Sequence, residues 1–176
     1  SQVVGEHHLG PKTYYPLKPI PSQLLITDFI KGKSPQPAAY SEYKNDLAKA
    51  LRDLHHIQVS PLPKGVNLCE RARASLYNVK ALGPFLSELN VFEKIENGLL
   101  KYPFQYGLVH EDLNTLNAFY EDHEFLFIDW ANGGFGDQMG DVANLTLEFG
   151  LDDNQSLEFL KLYLEDKKLT PKIKAQ

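Results

Sequence analysis

The sequence is poor in cysteine: Cys69 stands alone, so no disulfide can close within the chain, and no C-x-x-C or H-E-x-x-H spacing points to a structural or catalytic zinc. A passive packed residue is the expectation for that thiol. No apolar run approaches the roughly 18 residues a transmembrane helix requires, and the opening SQVVGEHHLG lacks the basic-then-apolar layout of a signal peptide. A cytoplasmic protein without a membrane partner is expected. Positive charge is also scarce, with 18 Lys and Arg against 23 Asp and Glu, so the net charge of -5 speaks against nucleic acid as a partner. Lys167, Lys168, Lys172 and Lys174 near the end read as a solvated tail. Methionine occurs once, at Met139, so Ser1 is not a natural translation start and a longer N-terminal part is expected.

What is present suits a globular domain. Hydrophobic residues make up 43% of 176, enough to bury a real core. From Leu9 to Ile30 two extended segments, KTYY and QLLITDFI, flank the proline-bearing stretch Pro16 to Pro21, and the second run breaks at Gly32, Pro35 and Pro37. Tyr40, Tyr43, Leu47, Leu51 and Leu54 then recur at spacings of three and four, predicting a helix to about Ile57 with Ser41 as its N-cap. Pro61, Pro63 and Gly65 end it. Residues 70–100 read as two helices meeting at Gly83 and Pro84, and two more are predicted over Asp141–Phe149 and Ser156–Glu165. The expected class is α+β, with helix predominating.

One segment differs. In GLVHEDLNTLNAFYEDHEFLFIDW, β-prone residues surround His110, Asp112 and Asn117, and an apolar strand runs to Ile128 and ends at Asp129. If Ala118–Tyr120 and Phe125–Ile128 pair across the polar turn 121–124, Tyr120 faces Phe125 and Asn117 lies opposite Ile128, one position from Asp129. Opposed residues have β-carbons roughly 5 Å apart, so the mouth of such a hairpin brings an amide and a carboxylate within reach of one ion. Those oxygens suit magnesium, which shares its remaining positions with water and phosphate. Asp112, on the same loop, is then placed beside an incoming hydroxyl, and phosphoryl transfer needs mainly an in-line acceptor, a carboxylate to orient it and cations against the developing charge.

The pattern H-x-D-x-x-x-x-N followed by an apolar strand and I-D-W resembles the catalytic loop and metal aspartate of aminoglycoside phosphotransferases, choline kinases and their relatives. GDQMGDVANL is similar to the family's G-D-x-x-x-D-[LIV]-A signature, LLITDFIKG looks like the last N-lobe strand with the hinge, and LAKALRDLHHI looks like the helix ending in Leu-His. The resemblance spans about Leu9 to Leu164. It implies a protein kinase-like fold, with residues 1–31 as the last strands and hinge of a truncated N-lobe and residues 32–176 as an α-rich catalytic C-lobe, itself cut short at its C-terminal end. It also implies ATP and Mg2+ as cofactors and transfer of the γ-phosphate to a hydroxyl of a small molecule such as an aminoglycoside, choline, ethanolamine or a sugar. Asp112 would be catalytic, His110 and Asp141 would brace its loop, and Asn117 and Asp129 would bind magnesium. Backbone groups of Asp28 and Ile30 would hold the adenine edge, with Phe119 or Ile128 as its floor.

Glu111 stands where many relatives carry glycine and adds a carboxylate beside Asp112, with an influence on substrate choice as one reading. Trp130 could offer a π-face to a cationic substrate, although packing is the commoner use of such a residue. The pairs His7–His8 and His55–His56 do not present one helical face, which disfavours a metal site at either. No glycine-rich loop and no strand lysine paired with a helix glutamate occur in the sequence, so the segment alone is expected to bind nucleotide poorly or not at all and to be inactive without the rest of the N-lobe. A catalytically inactive pseudokinase or ligand-binding module is the alternative, and the pattern leaves the oligomeric state open.

Overall fold

The computed structural model describes residues 2–17, 24–60, 65, 67–77, 86–99, 101 and 105–165. The Gly83–Pro84 break, Pro61, Pro63 and the lysines after Glu165 lie outside them. Among the described residues six helices and three antiparallel strand pairs follow one another: α1 Gln2–Glu6, β1 Thr13–Leu17, β2 Leu24–Thr27, a 3-10 turn Pro37–Ala39, α2 Tyr40–His56, α3 Leu68–Tyr77, α4 Leu86–Leu99, β3 Tyr106–Val109, β4 Ala118–Glu121, β5 Glu124–Phe127, β6 Gly134–Asp137, α5 Gln138–Glu148 and α6 Asp153–Tyr163. The pairs are β1 with β2, β3 with β6 and β4 with β5.

The core is organised by α2. Its predicted stripe is the buried face, with Leu47, Leu51 and Leu54 fully enclosed and Tyr43 at 2% exposure. That face packs against α6, through Phe159 and Tyr163, and against Phe125 and Phe127 of β5. Tyr43 touches Tyr120, Phe125 and Phe149 at ring-centroid distances of 5.7, 5.7 and 6.1 Å, tilted or edge-on as aromatic quadrupoles prefer. The helix begins one residue before Ser41. The 3-10 turn runs straight into it and the Tyr40 amide donates to the Pro37 carbonyl, so Ala39 occupies the N-cap position and no side-chain cap is used.

Helices α5 and α6 also start earlier than their apolar patterns suggest, by three residues each. Asp137 caps α5 by accepting from the Met139 amide. Asp152 caps α6 in a reciprocal capping box with Gln155. Helix α1 was not apparent from periodicity, since five residues make little more than one turn, yet it buries Val4 at 2% exposure. The Leu9 carbonyl then accepts from the Phe127 amide at 2.8 Å, docking the N-terminal segment along the outer edge of β5. No helix among the described residues is long and apolar enough to cross a membrane.

Candidate active site

Strand β3 delivers the loop 110–117 from the core. Its pairing with β6 sets Val109 opposite Gly134, so the residue that follows, His110, emerges close to the start of α5. The strand can lie this close to α2 and α5 because Gly107 has no side chain: a β-carbon there would meet Gln138 Nε2 at 2.5 Å and the His55 carbonyl at 2.6 Å.

The loop hangs from one carboxylate. Asp141, completely buried in the first turn of α5, accepts from the His110 amide through Oδ2 and from the Glu111 amide through Oδ1, both at 2.7 Å. Its Oδ2 also accepts from His55 Nε2 at 3.2 Å, and His55 Nδ1 lies 2.7 Å from the Tyr163 hydroxyl. Burial lifts the Tyr163 phenol well above its ordinary range. Asp141, His55 and Tyr163 thus tie α5, α2 and α6 to the loop in one buried chain. His55, near the end of α2, belongs to this support.

His110 is fully buried, and its Nε2–H donates to the Ile128 carbonyl at 2.7 Å, joining the start of the loop to the residue before Asp129. Burial holds its pKa below the ordinary histidine value, although the Ile128 carbonyl and nearby carboxylates oppose that shift. The Trp130 ring lies 4.4 Å from the imidazole and its indole N–H donates to the Phe127 carbonyl at 3.0 Å. Trp130 thus packs on His110 while its N–H is tied to the strand end.

Further bonds fix the middle of the loop. Leu113, at 1% exposure, plugs into the core, and Asn144 Nδ2 donates to its carbonyl at 3.0 Å. Asn114 Oδ1 accepts from the Leu116 and Asn117 amides at 2.8 and 3.1 Å, closing a tight turn. Asn117 Nδ2 donates to the Asp112 carbonyl at 2.9 Å, which orients the amide and leaves its oxygen as an outward acceptor. The Asp112 carboxylate is half-buried and touched by long contacts only, from Asn114 Nδ2 at 3.3 Å and Asn132 Nδ2 at 3.5 Å. Asn114, Asn132 and Asn144 were not singled out from the sequence, since lone asparagines in a polar loop carry no distinguishing pattern.

The hairpin has the expected register. Tyr120 pairs with Phe125, Ala118 with Phe127, and the Ile128 amide donates to the Asn117 carbonyl at 2.9 Å, so Asn117 and Asp129 flank the open end. The turn residues Asp122 and His123 both have positive φ, 49° and 66°, as a two-residue I′ hairpin requires. Asp129 has φ 59° and is exposed just past the strand. An amide oxygen and an exposed carboxylate make a hard-donor set that fits a divalent cation bound largely through water and phosphate. Among the described residues, no group of three His, Cys, Asp or Glu side chains forms a self-sufficient metal site.

On the outer face of the hairpin, Ile30, Gly32, Phe119 and Leu126 line a small groove rimmed by Glu121, Asp122 and Glu124. Ile128 is not among its walls. The Lys33 and Tyr120 amides and carbonyls exchange bonds of 3.1 and 2.9 Å, which lays the segment after β2 along the hairpin. The Asp28 amide donates to the Lys12 carbonyl and its carboxylate accepts from Tyr14, and Asp28 is not among the groove's walls. The Glu111 side chain is only 1% exposed.

A mostly helical body with a hairpin holding a braced acidic loop at its mouth is the architecture of the protein kinase-like phosphotransferases. The chain belongs to the phosphotransferase enzyme family, whose model matches residues 5–173. It is similar in fold to a choline/ethanolamine kinase family protein from Mesorhizobium loti, at 18% identity and a TM-score of 0.78 over 95% of this chain and 58% of that one. Choline kinase LicA from Streptococcus pneumoniae is similar at 19% identity and a TM-score of 0.78, over 99% and 64% of the two chains. Amicoumacin kinase hAmiN, in complex with AMP-PNP, Ca2+ and Ami, is similar at 16% identity and a TM-score of 0.69, over 94% and 58%. The chain therefore spans less than two thirds of the length of these solved relatives. No curated protein matches it in sequence.

Proposed function

We propose that this chain carries the catalytic and metal-binding elements of an ATP- and Mg2+-dependent kinase that phosphorylates a hydroxyl of a small molecule, such as choline, ethanolamine, an aminoglycoside or a sugar. The supporting observation is the loop 110–117, whose backbone is held by the side chains of Asp141, Asn114, Asn117 and Asn144 while the Asp112 carboxylate keeps only long contacts. An acid left underused inside a rigid frame is what orienting an acceptor requires.

In this reading residues 1–31 supply strands and hinge, and residues 32–176 the catalytic lobe. Asp112 accepts a hydrogen bond from the acceptor hydroxyl and takes its proton as the oxygen bonds to the γ-phosphorus and the bond to the β-phosphate oxygen breaks. Asn117 and Asp129 would hold the magnesium, which when bound neutralises charge on the phosphates. Asp141 keeps Asp112 in place through the amides of its two predecessors, and His110 locks the loop to the strand carrying Asp129. The Asp28 carbonyl, the Ile30 amide and the Phe119 face of the hairpin groove are suited to a flat nucleobase. The nucleotide and divalent cation bound by the amicoumacin kinase support this choice of cofactors.

The test is phosphate transfer by the full chain from ATP with magnesium to a panel of those acceptors, followed by 31P NMR. Asp112→Asn should lower the rate by about 10²–10⁴-fold, the usual contribution of a positioned acid or base. A wild-type protein that binds nucleotide but transfers phosphate no faster than the variant would establish a binding module instead.

A further inference from the structure

Glu111 is the least comfortable residue of the loop. Its φ of 65° places a long side chain in the left-handed region that favours glycine. The side chain nevertheless turns inward, and Oε2 is buried without a hydrogen bond. Among the described residues, the one cation paired with it is Arg71 of α3, whose Nη1 lies 3.6 Å from Oε2 and whose side chain is 43% exposed. Facing it from β6 and α5 are two carboxylates, Asp137 and the fully buried Asp141.

These surroundings divide the two protonation states sharply. Burial and the carboxylates of Asp141 and Asp137 disfavour the charged form, Arg71 alone among these neighbours favours it, and the balance pushes the group up to about 7. Ionised, Glu111 has reason to keep α3 drawn against the loop. Neutral, it has none, and Arg71 is free to swing into solvent. Because Glu111 is bonded to Asp112 on one side and shares Asp141 with His110 on the other, a pull on its side chain is transmitted to the acid beside the acceptor.

We propose that Glu111 is a positioning residue whose carboxylate, paired with Arg71, ties α3 to the catalytic loop, so that transfer depends on the ionisation of this pair. The proposal rests on the phosphotransferase reading for its effect on rate but not for the pairing itself. It departs from a passive buried glutamate in giving transfer an ascending limb near neutral pH that belongs to neither substrate nor Asp112.

Two measurements on the full chain decide it. In the first, the Glu111 carboxyl 13C resonance, assigned by its loss in Glu111→Gln, is followed against pH. The expected midpoint lies near 7 and moves upward by about one unit in Arg71→Gln, which removes the favourable charge that Arg71 supplies. A midpoint in the ordinary carboxylate range, or one indifferent to Arg71→Gln, overturns the pairing whatever the activity. In the second, the transfer rate is measured from about pH 6 to 8.5. Wild type should rise through about 7, whereas Arg71→Gln and Glu111→Gln, each lacking one half of the pair, should both be slow throughout and lack the limb. A Glu111→Gln profile that keeps the limb, merely scaled down, assigns a structural role and overturns the proposal. A wild type that binds ATP with magnesium yet transfers no phosphate at any pH overturns the functional reading, and the resonance still reports separately on the pairing.

Discussion

The β1–β2 and β4–β5 pairs are both short antiparallel hairpins, yet they are held in different ways. β4–β5 has an unbroken register, with Phe125 at 2% and Phe127 at 0% exposure pressed on α2, the Lys33 segment along one edge and Leu9 along the other. β1–β2 has an irregular register between Thr13 and Tyr15, and Tyr14, Leu25 and Ile26 are about half exposed. A two-stranded hairpin is marginal in water unless one face is packed. The difference explains why the candidate site is built on β4–β5: a mouth that must hold an amide and a carboxylate in register needs the backing of a core.

Substitutions can break or sharpen this contrast. Phe127→Ala should cost about 3–5 kcal/mol in urea unfolding, because the ring is enclosed on every side and its loss leaves a cavity. Asp141→Asn should cost about 1–3 kcal/mol, since an amide nitrogen would replace one of the oxygens that now serve the His110, Glu111 and His55 donors. The same variant should lower any transfer rate more than its stability loss explains, as the loop is released. On β2, Leu25→Ser should change stability by less than about 0.5 kcal/mol. A cost comparable to that of Phe127→Ala would show that β1–β2 is packed as tightly as β4–β5.

A smaller effect separates two neighbours within the loop. The pKa of Glu111 is raised from 4.5 to about 7 on folding, so its contribution to stability is fully present below 4.5 and is lost as the pH rises through 7. The pKa of His110 is lowered from 6.5, so its contribution is present above 6.5 and is lost as the pH falls toward the depressed folded value. The two slopes oppose each other near neutrality. Glu111→Gln should therefore gain stability over wild type at pH 8, match it more closely at pH 5, and expose a clear fall on acidification that His110→Asn removes. Thermal midpoints across that range measure all three.

Much of the candidate site was legible because its geometry is local. An alternation of apolar residues around a four-residue polar turn permits one register that buries Phe125 and Phe127 together, and that register places Asn117 opposite Ile128 whatever surrounds the hairpin. The stripe of α2 was legible for the same reason, as periodicity reports a face. The starts of α5 and α6 were less so, because caps are set by single aspartates, Asp137 and Asp152, that lie outside the apolar pattern.

Sequence alone therefore determined the hairpin, the apolar face of the central helix and the residue types gathered near the loop, since each follows from spacing along a few turns or strand steps. Only the tertiary structure decided the partners of the buried charges. That His55 and Tyr163 serve Asp141, that Trp130 covers His110, and that Glu111 turns inward to Arg71 are contacts between residues up to 108 positions apart. No local period encodes them. They arise because folding removes water from groups that must then find what donors and cations the packed chain provides.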